Sequence, residues 1–131
     1  MKVIHTSGSR KSATARATLR PGNGIIRMNS QLLQWFQPAI YRNKVQEPLL
    51  LAGDIAKKVD ISVRVMGGGS ASQAEASRLA IARALSTFDK TLQLTFLEYD
   101  RTLLVADVRR KETHKPNCHG KARAKRQKSY R

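Results

Sequence analysis

The C-terminal 23 residues, Arg109 to Arg131, constrain the fold of this chain more than any other segment. They contain ten Lys or Arg residues and a single acid, Glu112, which leaves them a net charge of +9. Such a segment buries too little apolar surface to offset the entropy lost on ordering, so alone it is predicted to be disordered. A polyanion that neutralises this charge is the partner that the composition indicates.

The whole chain of 131 residues carries a net charge of +16 and has a pI near 11.0. A balance this basic indicates nucleic acid or an acidic membrane surface. The membrane alternative is weak, because no apolar run approaches the ~20 residues of a spanning helix. The N-terminus has no apolar stretch typical of a secretory signal, and the lone cysteine, Cys118, fits a reducing compartment, so we expect a cytosolic protein. Residues 1–108 are long enough for one globular domain, and residues 109–131 are predicted to be an extended basic tail.

The first strand signal is a strict alternation over residues 12–20. Four apolar side chains point one way (Ala13, Ala15, Ala17 and Leu19), and polar or basic ones, including Arg16 and Arg20, point the other. A turn signal at residues 21–24 and an apolar stretch at 25–28 then predict a hairpin over residues 12–28.

The middle of the chain predicts two helices and a strand. Ser30 is a candidate cap for a short helix that ends before Pro38, and a second helical segment is predicted over residues 39–52, although Pro48 could instead start a separate turn. Residues 59–66 alternate between apolar and polar side chains and predict a strand.

Gly67-Gly68-Gly69 follows this strand and leads into a predicted helix over residues 70–88. Two capping-box patterns mark its start, one beginning at Ser70 and one at Ser72. Leu79 lies opposite the main apolar face of this helix, so it is either exposed or packed by another element. A short helix over residues 91–99 and a last strand over 101–105 complete the predicted elements.

The triple glycine between a strand and a helix resembles the layout of nucleotide-binding loops, but the details do not fit. No Lys-Ser or Lys-Thr pair follows it as in a P-loop, and Ser72 stands where the dinucleotide fingerprint needs a glycine. The free N–H groups of a helix start could still approach a phosphate of an RNA backbone. The plainer alternative is a tight turn.

The sequence offers no convincing catalytic or metal site. His114, Cys118 and His119 are too few for a structural zinc site, which needs four ligands, and His5 is distant in sequence. The nine acidic residues are scattered, without a serine, histidine and carboxylate set. We therefore predict a protein that is not an enzyme and has no metal or other cofactor.

The basic residues carry the functional signal, and they fall in three places. The first is Arg10-Lys11 with Arg16 and Arg20, the second is Arg78 and Arg83 on the long helix, and the third is the tail. Contacts of Lys and Arg with phosphates give affinity without reading sequence. In the tail, Lys121 to Arg126 alternate small and basic side chains, and Tyr130 could stack on a base.

Taken together, these segments resemble the universal S9 family of small-subunit ribosomal proteins. The resemblance begins at Gly8-Ser9-Arg10-Lys11 and continues through Gly67-Gly68-Gly69-Ser70-Ala71-Ser72-Gln73 and Arg83-Ala84-Leu85. It ends with Gln127-Lys128-Ser129-Tyr130-Arg131 and covers nearly the whole chain. The Glu47-Pro48-Leu49-Leu50 segment and the Ser-Tyr-Arg ending resemble the archaeal and eukaryotic branch.

This resemblance implies an α+β fold, with helices packed on a mixed β-sheet and a βαβ unit of left-handed crossover, followed by the extended tail. It implies a structural role in the head of the small subunit, with small-subunit rRNA, peptidyl-site tRNA and neighbouring head proteins as partners. Neither a membrane nor a homo-oligomer is expected.

The resemblance and the charge pattern together predict the contact residues. Those facing rRNA are Arg10, Lys11, Arg16, Gly67, Gly68, Gly69, Gln73, Arg109, Arg110, Lys111, Lys121, Arg123, Lys125, Arg126 and Lys128. Those near tRNA are Ser129, Tyr130 and Arg131. Two other functions compete with this one: a free-standing basic DNA- or RNA-binding module, and a small phosphotransfer enzyme built around the triple glycine. The enzyme lacks the lysine and metal carboxylate that it would need.

Overall fold

The computed structural model describes residues 3–123 and 129–130. In this part of the chain, a five-stranded mixed sheet packs against three α-helices, which confirms the predicted α+β class. The strands are β1 (Ile4–Arg10), β2 (Ala13–Pro21), β3 (Ile26–Met28), β4 (Gln31–Leu32) and β5 (Val59–Met66). The helices are α1 (Ala39–Ala52), α2 (Ser70–Phe88) and α3 (Leu92–Tyr99).

The order of the strands across the sheet is β1-β2-β5-β3-β4. β2 runs antiparallel to both β1 and β5, whereas β3 runs parallel to β5. The chain between β3 and β5 contains α1, so these three elements form the βαβ unit. The left hand of its crossover stays a prediction from the family resemblance.

The predicted hairpin over residues 12–28 is wrong, because β5 lies between β2 and β3. The 21–24 turn does not close a hairpin; it carries the chain past the start of β5. There, the carboxylate of Asp60 accepts hydrogen bonds from the backbone N–H groups of Asn23 and Ile25, each at 2.9 Å. The N–H of Gly22 donates to the carbonyl of Lys58 at 2.9 Å. These bonds place β3 on the far side of β5.

Two further elements differ from the prediction. The segment after Ser30 forms the short strand β4 and a 3-10 turn at Leu33–Trp35 instead of a helix, and Ser30 itself has a positive φ of 71°. The expected strand over 101–105 is a 3-10 turn at Arg101–Leu103, because the Asp100 carboxylate accepts the N–H of Thr102 at 2.9 Å. β1 was not predicted, since few of its residues are apolar.

The other predicted elements are confirmed. β5 and α2 have the expected bounds, α3 begins one residue later, and α1 spans 39–52 with Pro48 inside the helix rather than at a separate turn. The capping boxes do not form: the residue that caps α2 is Gly69, which has no side chain to accept a hydrogen bond from the first turn.

The helices cover only one face of the sheet. α2 lies across β1 and β2, where Gly8 lets the backbones meet: a Cβ there would lie 2.5 Å from the carbonyl oxygen of Ala76. The inward residues of β2, from Ala13 to Leu19, are buried. Leu79 is only 4% exposed, so it is packed and not left in solvent, and its Cβ lies beside Gly8 of β1. The other face of the sheet stays open.

Candidate nucleic-acid interface

One end of the sheet brings together Lys11 and the triple-glycine loop. Lys11 lies in the β1–β2 turn with a φ of 51°, and Gly67 and Gly68 also have positive φ values of 76° and 66°. A Cβ at Gly67 would lie 2.6 Å from the carbonyl oxygen of Ser12, so a side chain there would collide with the turn. Glycine therefore allows the loop to lie against the β1–β2 turn, and both remain exposed.

The N-terminus of α2 opens beside this loop. The first helical hydrogen bond runs from the N–H of Gln73 to the carbonyl of Gly69 at 2.9 Å, so the N–H groups of residues 70–72 have no acceptor within the helix. Gln73 also donates from Nε2 to the carbonyl of Gly67 at 3.0 Å, which holds the loop in place. Exposed amides at the positive end of the helix dipole favour a phosphate.

Arg10, the first predicted contact, faces the helix layer instead of solvent. Its Nε lies 2.6 Å from Glu75 Oε2, and its Nη1 lies 3.2 Å from Asp107 Oδ2. Only 15% of the side chain is exposed. Lys44 joins the same group through a 2.9 Å ion pair with Glu75. The structure thus gives Arg10 an internal partner set, and its contact with RNA stays a prediction.

These ion pairs contribute to lowering the pKa values of both carboxyl groups, Glu75 and Asp107. Burial raises the pKa of Glu75, but the hydrogen bonds from Lys44 and Arg10 outweigh burial and leave that pKa below its usual value. The pKa of Asp107 is strongly lowered, first by hydrogen bonds from the side chain and backbone of Arg109 and further by the charge of Arg10. Both carboxylates are therefore held in their charged form.

The tail leaves the domain at the same end of the sheet. Arg109 pairs with Asp107 at 2.6 Å. Arg110 donates to the hydroxyl of Ser9 at 2.9 Å and to the backbone carbonyl of Lys11. Predicted contacts Lys11, Arg109 and Arg110 thus lie together, and the exposed Lys111 follows directly.

Beyond Lys111 the described tail has no helix or regular strand, but it folds back so that residues 112–115 contact residues 121–123. The N–H of Lys115 donates to the carbonyl of Lys121 at 2.8 Å, and Nε of Arg123 lies 2.8 Å from Glu112 Oε1. Lys121 and Arg123 both remain exposed.

The end of the tail is described only at Ser129 and Tyr130. Both residues are exposed, and Tyr130 has 85% of its surface free. The remaining predicted contacts, Lys125, Arg126, Lys128 and Arg131, lie outside the described residues.

Arg78 and Arg83, which the sequence grouped with the RNA-facing charge, are used inside the domain. Arg78 is buried, and its Nη2 lies 2.6 Å from Glu47 Oε2 and 3.0 Å from Asp100 Oδ2. Arg83 donates to the backbone carbonyls of Leu104 and Ser7 at 3.0 and 2.8 Å. Both arginines join α2 to neighbouring segments.

Arg16 lies elsewhere, on the open face of the sheet. Its partner across β2 and β5 is Arg64, and Arg20 and Arg27 point to the same side. The sequence reasoning did not select Arg27 or Arg64 as functional. The outward position of Arg64 was readable from the alternation of β5, but the false hairpin concealed the pairing of β5 with β2.

Residues 3–123 and 129–130 contain no group of three or more His, Cys, Asp or Glu side chains arranged to hold a metal ion. Within the same residues, the helices are too short or too polar to cross a bilayer.

One family model and several full-length relatives match this chain. The family model described as ribosomal protein S9/S16 matches residues 8–131. The small ribosomal subunit protein uS9 of Methanococcus vannielii is 48% identical over 134 aligned residues, and the alignment covers all of both chains. The protein of the same name from Methanococcus maripaludis shows the same identity and coverage.

Proposed function

The chain belongs to the ribosomal protein S9/S16 family, and we propose that it binds small-subunit rRNA and reaches peptidyl-site tRNA with the end of its tail. Its coarser role follows from the family: it is a structural component of the small ribosomal subunit, and it is not an enzyme. The family resemblance proposed from the sequence is thereby confirmed. The localisation that we propose is the cytoplasmic ribosome.

The observation that carries the rRNA proposal is the meeting of three basic or amide-rich features at one end of the sheet. Lys11, the exposed amides at the start of α2, and the root of the tail at Arg109–Lys111 lie around the β1–β2 turn. Phosphate oxygens accept hydrogen bonds from both kinds of donor. A folded RNA backbone that crosses this end would contact all three.

The tail extends this surface. Lys121 and Arg123 are exposed and, with Lys125, Arg126 and Lys128, would neutralise further phosphates along an rRNA path. We also propose that the chain contacts neighbouring proteins of the subunit head. No homo-oligomer is proposed.

The tRNA proposal rests on Ser129, Tyr130 and Arg131. Tyr130 is exposed and offers a ring for stacking, and the guanidinium of Arg131 suits a phosphate. We propose that this tip contacts the anticodon stem-loop of peptidyl-site tRNA.

Two measurements test these roles separately. The full-length protein is expected to sediment with small subunits through a high-salt wash, and loss into the free fraction would contradict a role as a subunit component. Removal of residues 129–131 is expected to leave assembly intact and to weaken tRNA retention in the peptidyl site. An unchanged tRNA affinity would overturn the role of the tip while leaving the rRNA role in place.

A further inference from the structure

The face of the sheet opposite the helices is exposed to solvent and is largely polar. It adjoins the β1–β2 turn, where the rRNA contacts are proposed, and extends from it along the strands. Its outward side chains, taken across the four longest strands, are His5, Ser7, Ser9, Thr14, Arg16, Thr18, Arg20, Arg27, Asp60, Ser62, Arg64 and one large apolar residue, Met66.

None of the four arginines of this face forms an ion pair in the described part of the chain. The ion pairs found there involve other cations: Arg10, Lys44, Lys57, Arg78, Arg109, Lys115 and Arg123. Moreover, Arg16 and Arg64 are direct partners across β2 and β5. Like charges opposite each other in a sheet are unfavourable unless an anion lies between them.

The single acid of the face lies opposite Arg20 across β2 and β5, not beside the pair of Arg16 and Arg64. Asp60 lies at the start of β5, and its Oδ1 accepts the N–H groups of Asn23 and Ile25 at 2.9 Å. Asp60 thus lies four residues before Arg64 along β5 and leaves the repulsion between Arg16 and Arg64 in place.

The chemistry of the face selects one kind of polyanion. None of the five strands contains Phe, Tyr or Trp, and His5 at the edge of the sheet supplies the one aromatic ring of these strands, so the face lacks the row of aromatic rings that stacks successive single-stranded bases. Arginine guanidinium groups and Ser or Thr hydroxyls are donors to phosphate oxygens. Double-stranded RNA is recognised chiefly through such backbone contacts and its shape.

We propose that this open face is a second RNA-binding surface, on which Arg16, Arg20, Arg27 and Arg64 contact the phosphate backbone of an RNA helix. This inference rests on the proposed function, and it adds Arg20, Arg27 and Arg64 to the expected contacts. The face and the β1–β2 end would then place the domain against rRNA on two sides.

The test compares two full-length double variants that carry the same net charge. Arg16→Gln/Arg64→Gln removes the opposed pair from the face, and Lys90→Gln/Arg101→Gln removes two exposed cations from the helix layer. Binding to a 20-base-pair RNA duplex and to a 20-nucleotide uridine strand is measured against salt concentration. The face variant is expected to bind the duplex about 25-fold more weakly at 0.15 M salt and to lower the log–log salt slope by about 2.

The control variant is expected to stay within about twofold of the wild type on the duplex. Equal losses in both variants, or a larger loss on the single strand than on the duplex, would overturn the proposal. A melting temperature of the face variant at or above that of the wild type shows that lost binding does not reflect unfolding. Sedimentation of the wild-type protein with small subunits is scored independently, so the proposed function and the open-face proposal fail by different results.

Discussion

Two groups of arginines in this domain have opposite surroundings. The inner arginines, Arg10, Arg78 and Arg83, project from β1 and α2 toward carboxylates and backbone carbonyls. The outer arginines, Arg16, Arg20, Arg27 and Arg64, lie on the open face, where the described residues supply no carboxylate within ion-pair distance. The chemistry of the side chain is the same in both groups, and only its neighbours differ.

The comparison shows why a count of positive charges does not locate an RNA-binding surface. The charges of Arg10 and Arg78 are matched by carboxylates, so losing either arginine leaves partly buried carboxylates short of a partner, and losing Arg83 leaves two backbone carbonyls without their donor. In the outer group, Arg16 and Arg64 repel each other in the free protein, and an anion bound between them would remove that repulsion. The two groups should therefore respond in opposite ways to substitution.

The largest effect is expected at Arg78, the most buried arginine of the inner group. Arg78→Ala removes the partner of Glu47 and Asp100, which are themselves partly shielded from solvent. We expect the free energy of unfolding to fall by about 2–3 kcal/mol, because unpaired and partly buried carboxylates remain. Urea denaturation of the free protein measures this change.

Arg101→Ala is the matched control for Arg78, since Arg101 is exposed on the same side of the domain. Its unfolding free energy should change by less than about 0.5 kcal/mol. If Arg78→Ala also stayed within this limit, the ion pairs of the inner group would have no stabilising role, and the comparison would fail.

A smaller loss is expected at Arg10. Arg10→Gln breaks the pairs with Glu75 and Asp107, but Lys44 still contacts Glu75 and Arg109 still contacts Asp107. The expected destabilisation in urea is therefore about 1–2 kcal/mol. A larger loss than at Arg78 would show that the remaining cations do not compensate.

The carboxylates paired with Arg10 should also make the free energy of unfolding depend on pH in the acid range. The pKa values of Glu75 and Asp107 are lower in the folded protein than their usual values. The stability that they contribute is present above the unfolded-state values, near pH 4, and is lost as the pH falls toward the folded-state values. Wild-type unfolding free energy should thus decrease between pH 5 and 3.

The slope of this decrease distinguishes the groups. Arg10→Gln should make it shallower, because it brings the pKa values of Glu75 and Asp107 closer to those of the unfolded chain. Arg64→Gln should leave it unchanged, since Arg64 pairs with neither carboxylate. Equal slopes in Arg10→Gln and the wild type would contradict the assignment of these ion pairs.

The extent to which the fold could be predicted depended on whether the decisive contacts were local. β5 and α2 were predictable to their ends because alternation and helical periodicity are properties of neighbouring residues. The hairpin error arose from a long-range bond instead: the carboxylate of Asp60 holds the 21–24 loop, which lies more than 35 residues earlier in the chain. No pattern among neighbouring residues in the sequence indicates that contact.

The candidate site shows the same division. Lys11 and the triple glycine were predictable as a motif, and the structure places them at one end of the sheet. The partners of Arg10 and the outward pairing of Arg16 with Arg64 depend on which strands and helices meet. Sequence therefore located the positive charges, and tertiary packing determined which of them remain available to a ligand.

The smallest effect should have the opposite sign, and it is expected at Arg64. Arg64→Glu replaces the repulsion across β2 and β5 by an attractive pair with Arg16, so the free protein should gain about 0.5 kcal/mol of unfolding free energy.

Met66→Glu is the matched control, because Met66 lies on the same face of β5 opposite the uncharged Thr14. It reports the intrinsic cost of a glutamate in this strand, since glutamate is disfavoured in strands generally. After subtraction of that cost, Arg64→Glu should be stabilising in urea and weaker than Arg64→Gln in binding an RNA duplex. A destabilisation that remains after this subtraction would show that Arg16 and Arg64 do not repel each other in the free protein, and the distinction between inner and outer arginines would then rest on exposure alone.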